Sequence, residues 1–515
     1  MSKRPILAAF LAVSLLTGPA SAQLLGGRGG LVGGVGRTVS GVTGTVGGVV
    51  QGVTGTVGGA VGGVGRTAGG TISGVGSGVT GLGGPLGGIG SGIGRLGDGI
   101  GALGGGLEGA VGALGNINSL AGRGVPDGAL LGMADPALIL QEVYPPQIGQ
   151  SDAQLLAQIR KLRHEILIRS NPRVLDRDGD WQPVRRGELI VIDPDPASLS
   201  AAIRAGFRVM GDERPAGLGL RVLTLACPKG TNVREGLKRL RKKAPRLQAD
   251  YNHVYEPAGG ALLPAAGVKL ATRSILRPGT RIAMIDGGVA SHPSLARASV
   301  EQRGFAGPAQ ATGHGTAVGS LLVGTQGPFK GAARGAELFV GDVYGGNPAA
   351  GSATIIVRAL AWAASKQPKV INISLGGPPN RMLERAIASL RARGIGVVAA
   401  VGNDGPAAPM QYPASYPGVV AVTGVDGQDH ALREAGRSTH LDFAAPGADL
   451  VAGLPGSGYT PVRGTSFAPP FGAARPAARG SAASLATEAL PGKGKVGRGI
   501  ICRSCRVAPK LVGFR

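Results

Sequence analysis

The chain has 515 residues, 54 of them Lys or Arg and 30 Asp or Glu, giving a net charge of +24; that length accommodates about two or three domains. Aromatic residues make up 3%, too few for a platform of stacked rings, so no specific nucleic-acid partner is expected. The positive charge suits anionic partners or simply a soluble basic surface, since nothing in the sequence gathers it on one face.

In chain order, Lys3 and Arg4 precede an apolar run, Ile6 to Leu16, and Ala20-Ser21-Ala22 supplies a small-residue cleavage site. Residues 1–22 therefore read as a secretory signal peptide cut after Ala22. No later stretch offers about 20 apolar residues free of glycine or charge, so no transmembrane span is expected. The predicted destination is the periplasm, the cell surface or the medium.

Residues 23–125 are low in complexity. Of the chain's 95 glycines, 42 fall between Gln23 and Pro126, and the octapeptide Gly41 to Gly48 recurs as Gly52 to Gly59. Glycine at this density raises the entropic cost of regular structure. A flexible linker is expected, with a self-associating or surface-anchoring Val/Gly segment as the alternative.

Residues 126–180 read as a linker carrying a helix over Ala153 to Ile168, where Leu155, Leu156, Ile159, Leu162 and Ile166 have helical spacing. Residues 181–258 alternate compactly. A strand at Glu188 to Ile192 is followed by a helix at Ala197 to Ala205 and a strand at Leu218 to Leu225. A basic helix at Val233 to Lys243 and a strand at Leu247 to Val254 complete a small α+β sandwich.

From Arg281 onward, apolar strands are predicted at Ile282 to Ile285, Leu338 to Val340, Val370 to Ile373, Gly396 to Ala400 and Val419 to Val422. Helices are predicted at Thr316 to Val323, Ala353 to Ser365 and Arg381 to Arg393. The alternation predicts an α/β domain, a doubly wound parallel sheet covered on both faces. In such sheets functional residues gather beyond the carboxyl ends of the strands.

Three polar residues fall there in small-residue settings. Asp286 ends the first of those strands, His314 sits in Gly313-His314-Gly315-Thr316, and Ser466 sits in Gly464-Thr465-Ser466-Phe467-Ala468. Singly each is weak, because an Asp after a strand usually caps or turns. Together, in the order Asp, His, Ser, they match one of the unrelated chain orders in which a serine-nucleophile triad occurs.

On these residues the sequence resembles the subtilisin-like serine peptidases, the subtilase or S8 family. Ile285-Asp286-Gly287, His314-Gly315-Thr316 and Gly464 to Ala468 are similar to that family's three active-site blocks. The resemblance covers roughly Gly267 to Ala478, within a peptidase domain expected at residues 267–480, and implies Asp286, His314 and Ser466 as the catalytic residues. It further implies that Ser374, Leu375, Gly376 and Gly377 form the substrate-binding strand. Asn403, with the backbone N–H of Ser466, would form the oxyanion site. Protein or peptide substrates follow; no cofactor is expected, and the acidic residues of this sequence are too sparse to suggest a metal site. By the same resemblance residues 181–258 look like a pro-domain, removed to give an enzyme that begins between Glu256 and Arg277.

Two features depart from a simple peptidase. Pro469 and Pro476 flank the expected Pro470 after Ser466, and a proline inside a helix costs about 3 kcal/mol, so a kinked or shortened helix is predicted. Residues 481–515 form a basic tail containing Cys502 and Cys505. From Arg475 on there are nine Lys or Arg against one acid, Glu488. A solvated end is expected, or a tail docking on an anionic cell-surface partner. One C-x-x-C cannot make a four-ligand zinc site, so a local disulfide is expected, leaving Cys227 alone. The predicted activity is secreted serine endopeptidase, made as a self-processing precursor. The alternative is an inactive or weakly active peptidase fold acting as a surface or binding protein.

Overall fold

A computed structural model describes residues 152–258, 260–261, 279–456, 458–479 and 485–509. The expected signal peptide and Gly-rich region lie outside the described residues. The first element is helix α1 (Asp152–Ser170), which buries Leu156 and Leu167.

An antiparallel five-stranded sheet follows. Its strands are β1 (Leu175–Arg177), β2 (Pro183–Ile192), β3 (Arg208–Glu213), β4 (Val222–Ala226) and β5 (Gln248–His253), with β2 pairing β1, β4 and β5. Helices α2 (Pro196–Arg204) and α3 (Val233–Lys243) cover one face. Asp195 and Asn232 cap them, each accepting a bond from a first-turn N–H. The period of two along β2 gives the strand two apolar faces. Leu189 and Val191 meet α3 through Leu237 and Leu240, while Ile190 and Ile192 join the core of the larger domain.

The predicted strand at Leu218 to Leu225 begins only at Val222, and β3 went unpredicted. Arg208, Val209 and Met210 of β3 are exposed, so the strand lacks the buried face that would leave an alternating pattern.

Two short strands, β6 (Glu256–Pro257) and β7 (Gly260–Ala261), lead into the larger domain. Its sheet comprises β8 (Arg281–Asp286), β9 (Ser299–Gly304), β12 (Glu337–Asp342), β13 (Val370–Ile373), β15 (Gly396–Ala400), β16 (Val420–Val425) and β17 (Phe443–Pro446). All are parallel, in the order β17-β16-β15-β13-β8-β12-β9. Outside it lie a small hairpin, β10 (Thr325–Gln326) and β11 (Phe329–Lys330), the two-residue β14 (Leu375–Gly376), and the pair β18 (Leu450–Gly453) and β19 (Tyr459–Arg463).

Helices α4 (Gly313–Val323) and α7 (Pro469–Arg479) pack on one face, with Leu321, Leu322 and Phe471 against Ile282, Met284 and Val398. Helices α5 (Ala353–Ser365) and α6 (Arg381–Ala392) pack on the other, with Ile356, Leu360, Leu383 and Ile387 against Ala283, Ile285, Ile371 and Val397. This is the doubly wound α/β sheet that the alternation predicted.

The proline pattern predicted a kinked or shortened helix after Ser466, and α7 runs from Pro469 to Arg479. Pro469 and Pro470 fall in the first turn, where the missing N–H groups have no intrahelical partner to lose. Full burial of Phe471, Ala473 and Ala474 offsets the bond that Pro476 removes.

The chain's end also differs from expectation over residues 485–509, which pack against the body rather than extending into solvent. Ala444 on the edge strand β17 donates to Gly499 O and accepts from Ile501 N, while Val451 N donates to Val507 O. Covering an exposed edge in this way satisfies its unpaired backbone groups. Ile500 and Ile501 are fully buried, Cys502 and Cys505 form a disulfide, and the buried Arg506 donates to the carbonyls of Ala448, Val425 and Asp426. Cys227 is free.

Candidate active site

Strand β8 ends on Asp286, 1% exposed, beside Asp342 at the end of β12. Asp286 Oδ1 accepts from Gly287 N at 2.7 Å and lies 2.8 Å from His314 Nδ1. An ionised carboxylate only accepts, so Nδ1 carries the imidazole proton and Nε2 presents its lone pair. That lone pair faces Ser466 Oγ at 2.8 Å. Three residues spread over 181 positions of sequence, 286 to 466, thus form one hydrogen-bonded line.

Local structure explains the alignment. Thr312 caps α4 through Oγ1, which accepts from Gly315 N at 2.9 Å, and so fixes His314 in the first turn. A Cβ at Gly315 would come within 2.3 Å of Gly287 O, so only glycine lets α4 approach the end of β8 this closely. Ser466 lies in a single 3-10 turn, Thr465–Phe467, entered through Gly464 at φ 142°, ψ 158°, a conformation that favours glycine. The ring of Phe467 sits 5.5 Å from that of His314, centroid to centroid.

Asn403 stands at the other side of Ser466. Its Oδ1 accepts from Thr465 N at 2.8 Å, which turns the amide NH2 outward, and Nδ2 donates to the carbonyl of Ala258 at 2.6 Å. Ser466 N donates to the same oxygen at 2.8 Å. Two donors therefore converge on one carbonyl, and that carbonyl belongs to the chain itself.

The residues before Ala258 follow the predicted strand. Ala258 N donates to Ser374 O at 3.0 Å, and β6 pairs antiparallel with β14, Pro257 opposite Leu375 and Glu256 opposite Gly376. The ring of Tyr255 lies where a Cβ on Gly377 would meet it at 2.6 Å, and its hydroxyl donates to Pro378 O at 2.8 Å. Ser374 Oγ donates to Ser466 O at 2.9 Å, tying this strand to the serine turn. On the other side of Ala258, β7 pairs with β19, Gly260 opposite Arg463 and Ala261 opposite Val462.

All eight residues singled out from sequence lie in this one cleft. Sequence reasoning missed Ala258 and Tyr255, which carry no chemical signature, and Thr465 and Thr312, which orient the others. It also missed Asp342, fully buried while accepting from Gln310 N, Tyr344 N and Gly345 N. Burial, and to a smaller degree the charge of Asp286, push its carboxyl above the usual range. An acid closing the apolar run Leu338-Phe339-Val340-Gly341 was the available signal. Among the described residues no three His, Cys, Asp or Glu side chains gather into a group able to hold a metal ion.

Residues 277–484 match the model of the subtilase family. Subtilisin Savinase of Lederbergia lenta is 35% identical over 204 residues, which cover 38% of this chain and 75% of that protein. The chain belongs to the subtilase family. Thermitase of Thermoactinomyces vulgaris is 34% identical over 201 residues, 37% of this chain and 71% of the relative. The alkaline protease of Alkalihalobacillus alcalophilus is 35% identical, but the match spans only 53% of it. Among solved structures, fervidolysin from Fervidobacterium pennivorans, a keratinolytic enzyme related to subtilisin, superposes with a TM-score of 0.53 at 19% identity. That superposition covers 64% of this chain and 62% of fervidolysin, and it speaks to fold alone. This subtilase is a serine peptidase of the subtilisin type, with protein or peptide substrates.

Proposed function

We propose that the chain is a self-processing precursor of an exported serine endopeptidase, with Ser466, His314 and Asp286 as its catalytic triad and Ala258–Gly259 as its own first substrate bond. The observation that carries this reading is the Ala258 carbonyl oxygen, held by Ser466 N and Asn403 Nδ2. Such a pair of donors, fixed before reaction, stabilises the oxyanion that develops when a carbonyl is attacked.

The reaction follows from the hydrogen-bonded line. Ser466 Oγ attacks the Ala258 carbonyl carbon as its proton passes to His314 Nε2. Asp286 holds the imidazole in the required tautomer and stabilises its cation. Collapse breaks the bond to Gly259 N, which takes the proton from His314 and leaves as an amine. Water, deprotonated by His314, then releases the Ala258 carboxylate and restores Ser466. Residues 181–258 act as a pro-domain whose last residues, Tyr255 to Ala258, lie along Ser374 to Gly377 as an extended peptide would. Main-chain pairing of this kind gives affinity with little dependence on side chains. Export is supported by the basic and apolar leader at residues 1–22 and by the Cys502–Cys505 disulfide, which suits an oxidising compartment.

Labelling with a fluorophosphonate tests the assignment of the nucleophile. The processed enzyme should carry the label on Ser466, while the His314→Ala chain should remain both uncut and unlabelled; a folded, processed wild type that remains unlabelled would sink the reading.

A further inference from the structure

Helix α1 belongs to neither sheet, yet it bridges three parts of the molecule. Arg163 Nε donates to Glu256 Oε2 at 2.7 Å, and Nη2 donates to Asp404 Oδ1 at 2.8 Å. Arg160 lies 2.8 Å from the other Asp404 oxygen and donates to Gln182 Oε1 at 2.6 Å. The side chain of Leu156 fills the space over Gly405, where a Cβ would come within 2.6 Å of it. Leu167 shares a small apolar cluster with Leu175, Val254 and Ala349.

The positions of the two acids make this arrangement consequential. Glu256 sits two residues before Ala258, so the proposed cut places it on the N-terminal product. Asp404 directly follows the oxyanion donor Asn403, so it stays with the catalytic body. Arg163, Glu256 and Asp404 are at most 17% exposed. Burial opposes the charge on Glu256, but Arg163, and after it His164, hold the carboxyl far below the usual carboxylate range. Taking Arg163 away would leave Glu256 with His164 and Asp404 with Arg160 but nothing joining the two, and breaking a pair so deeply placed acts chiefly on the rate of dissociation.

We propose that α1 is a strap and Arg163 its positioning residue, locking the cut end of the pro-segment to the catalytic body through Glu256 and Asp404 and so keeping the enzyme latent after cleavage. This inference rests on the reading that Ala258–Gly259 is the bond cut. Backbone pairing through β6 is only two residues long, and away from the cut the body is held by Ile190 and Ile192 of β2 in its core. The ion network supplies the additional hold.

The experiment follows the full chain by intact mass and, in the same samples, by hydrolysis of a chromogenic peptide. Wild type should cut first and gain peptidase activity only after a lag. Arg163→Gln should cut at a similar rate and lose the lag by at least about tenfold. Arg163→Lys should recover part of the lag, and Arg163→Gln combined with Glu256→Gln should be no faster than either alone. An unchanged lag, effects that multiply independently, or an Arg163→Gln chain that folds but does not cut would each overturn the strap. If wild type is not cut at Ala258–Gly259, the cleavage reading fails, and the strap is read in the uncut chain by fluorophosphonate labelling of Ser466. Arg163→Gln must then label at least about tenfold faster; equal labelling rates would overturn the strap separately.

Discussion

Asn403 Nδ2 donates a 2.6 Å hydrogen bond to the carbonyl oxygen of Ala258, a residue 145 positions earlier in the same chain. Thr465 N holds the amide in that orientation through Asn403 Oδ1. The donor is thus fixed by the turn that also carries Ser466. Replacing Asn403 by Ala should slow appearance of the fragment ending at Ala258 by about 10² to 10³. Stability should also fall by about 1 to 3 kcal/mol, since the buried Thr465 N loses its acceptor. A single-turnover time course by mass spectrometry checks this, and an unchanged rate would remove Asn403 from the oxyanion site.

Ala258 is held by Ser374 O on one segment and by Asn403 Nδ2 on another. Gln411, 4% exposed, packs between the two backbone segments that flank it, with Oε1 3.2 Å from a Cβ built on Gly376 and Cγ 2.9 Å from one built on Gly402. Peptides with Ala before the cut should be hydrolysed faster than those with Phe, by about tenfold or more in kcat/KM. Gln411→Gly should narrow or reverse that ratio. The measurement is a paired kcat/KM for the two peptides with both enzymes, and an unaltered ratio would place the selectivity elsewhere.

The acid response of the Glu256 contact has a definite sign. Its pKa is depressed in the folded chain, so the stability it contributes is present above the unfolded value of about 4.3 and is lost as pH falls below that. The Tm difference between Ser466→Ala and Ser466→Ala/Glu256→Gln chains should therefore be constant near neutrality and shrink below about pH 4. A difference independent of pH down to about 2 would mean that Glu256 is not ionised in the docked state.

Gly315→Ala tests the packing that brings His314 to Asp286. The added methyl would meet Gly287 O at 2.3 Å and Gly288 O at 2.6 Å, both backbone atoms that cannot swing aside. A loss of about 1 to 3 kcal/mol of stability is expected, together with a fall in peptidase activity as the histidine moves off its carboxylate. Wild-type stability and activity would show that the two elements have room to separate.

Much of this site was legible before any coordinates, for a physical reason. Asp286, His314 and Ser466 each need glycine or another small residue beside them so that elements can approach closely, and such neighbours leave a visible motif. The strands β8, β13 and β15 were equally plain because burial on both faces makes them continuous apolar runs. Edge strands were not. β9 carries Glu301, Gln302 and Arg303 in exposed positions, and β17 ends on Pro446. Nor could the sequence disclose the role of Ala258, which depends on a strand docking across the sheet, or the Arg163–Asp404 pair, whose members are 241 residues apart. Arg160 and Arg163 of α1 read as ordinary polar positions on a helix.

The central claim is that the chain cuts itself between Ala258 and Gly259 through Ser466. It is tested most directly by intact-mass analysis and N-terminal sequencing of the full chain beside its Ser466→Ala variant. The account predicts a wild-type fragment ending at Ala258, a second beginning at Gly259, and a variant in which that bond stays whole. Cleavage of the same bond in Ser466→Ala, or a processed wild type in which Ala258–Gly259 is intact, would contradict it.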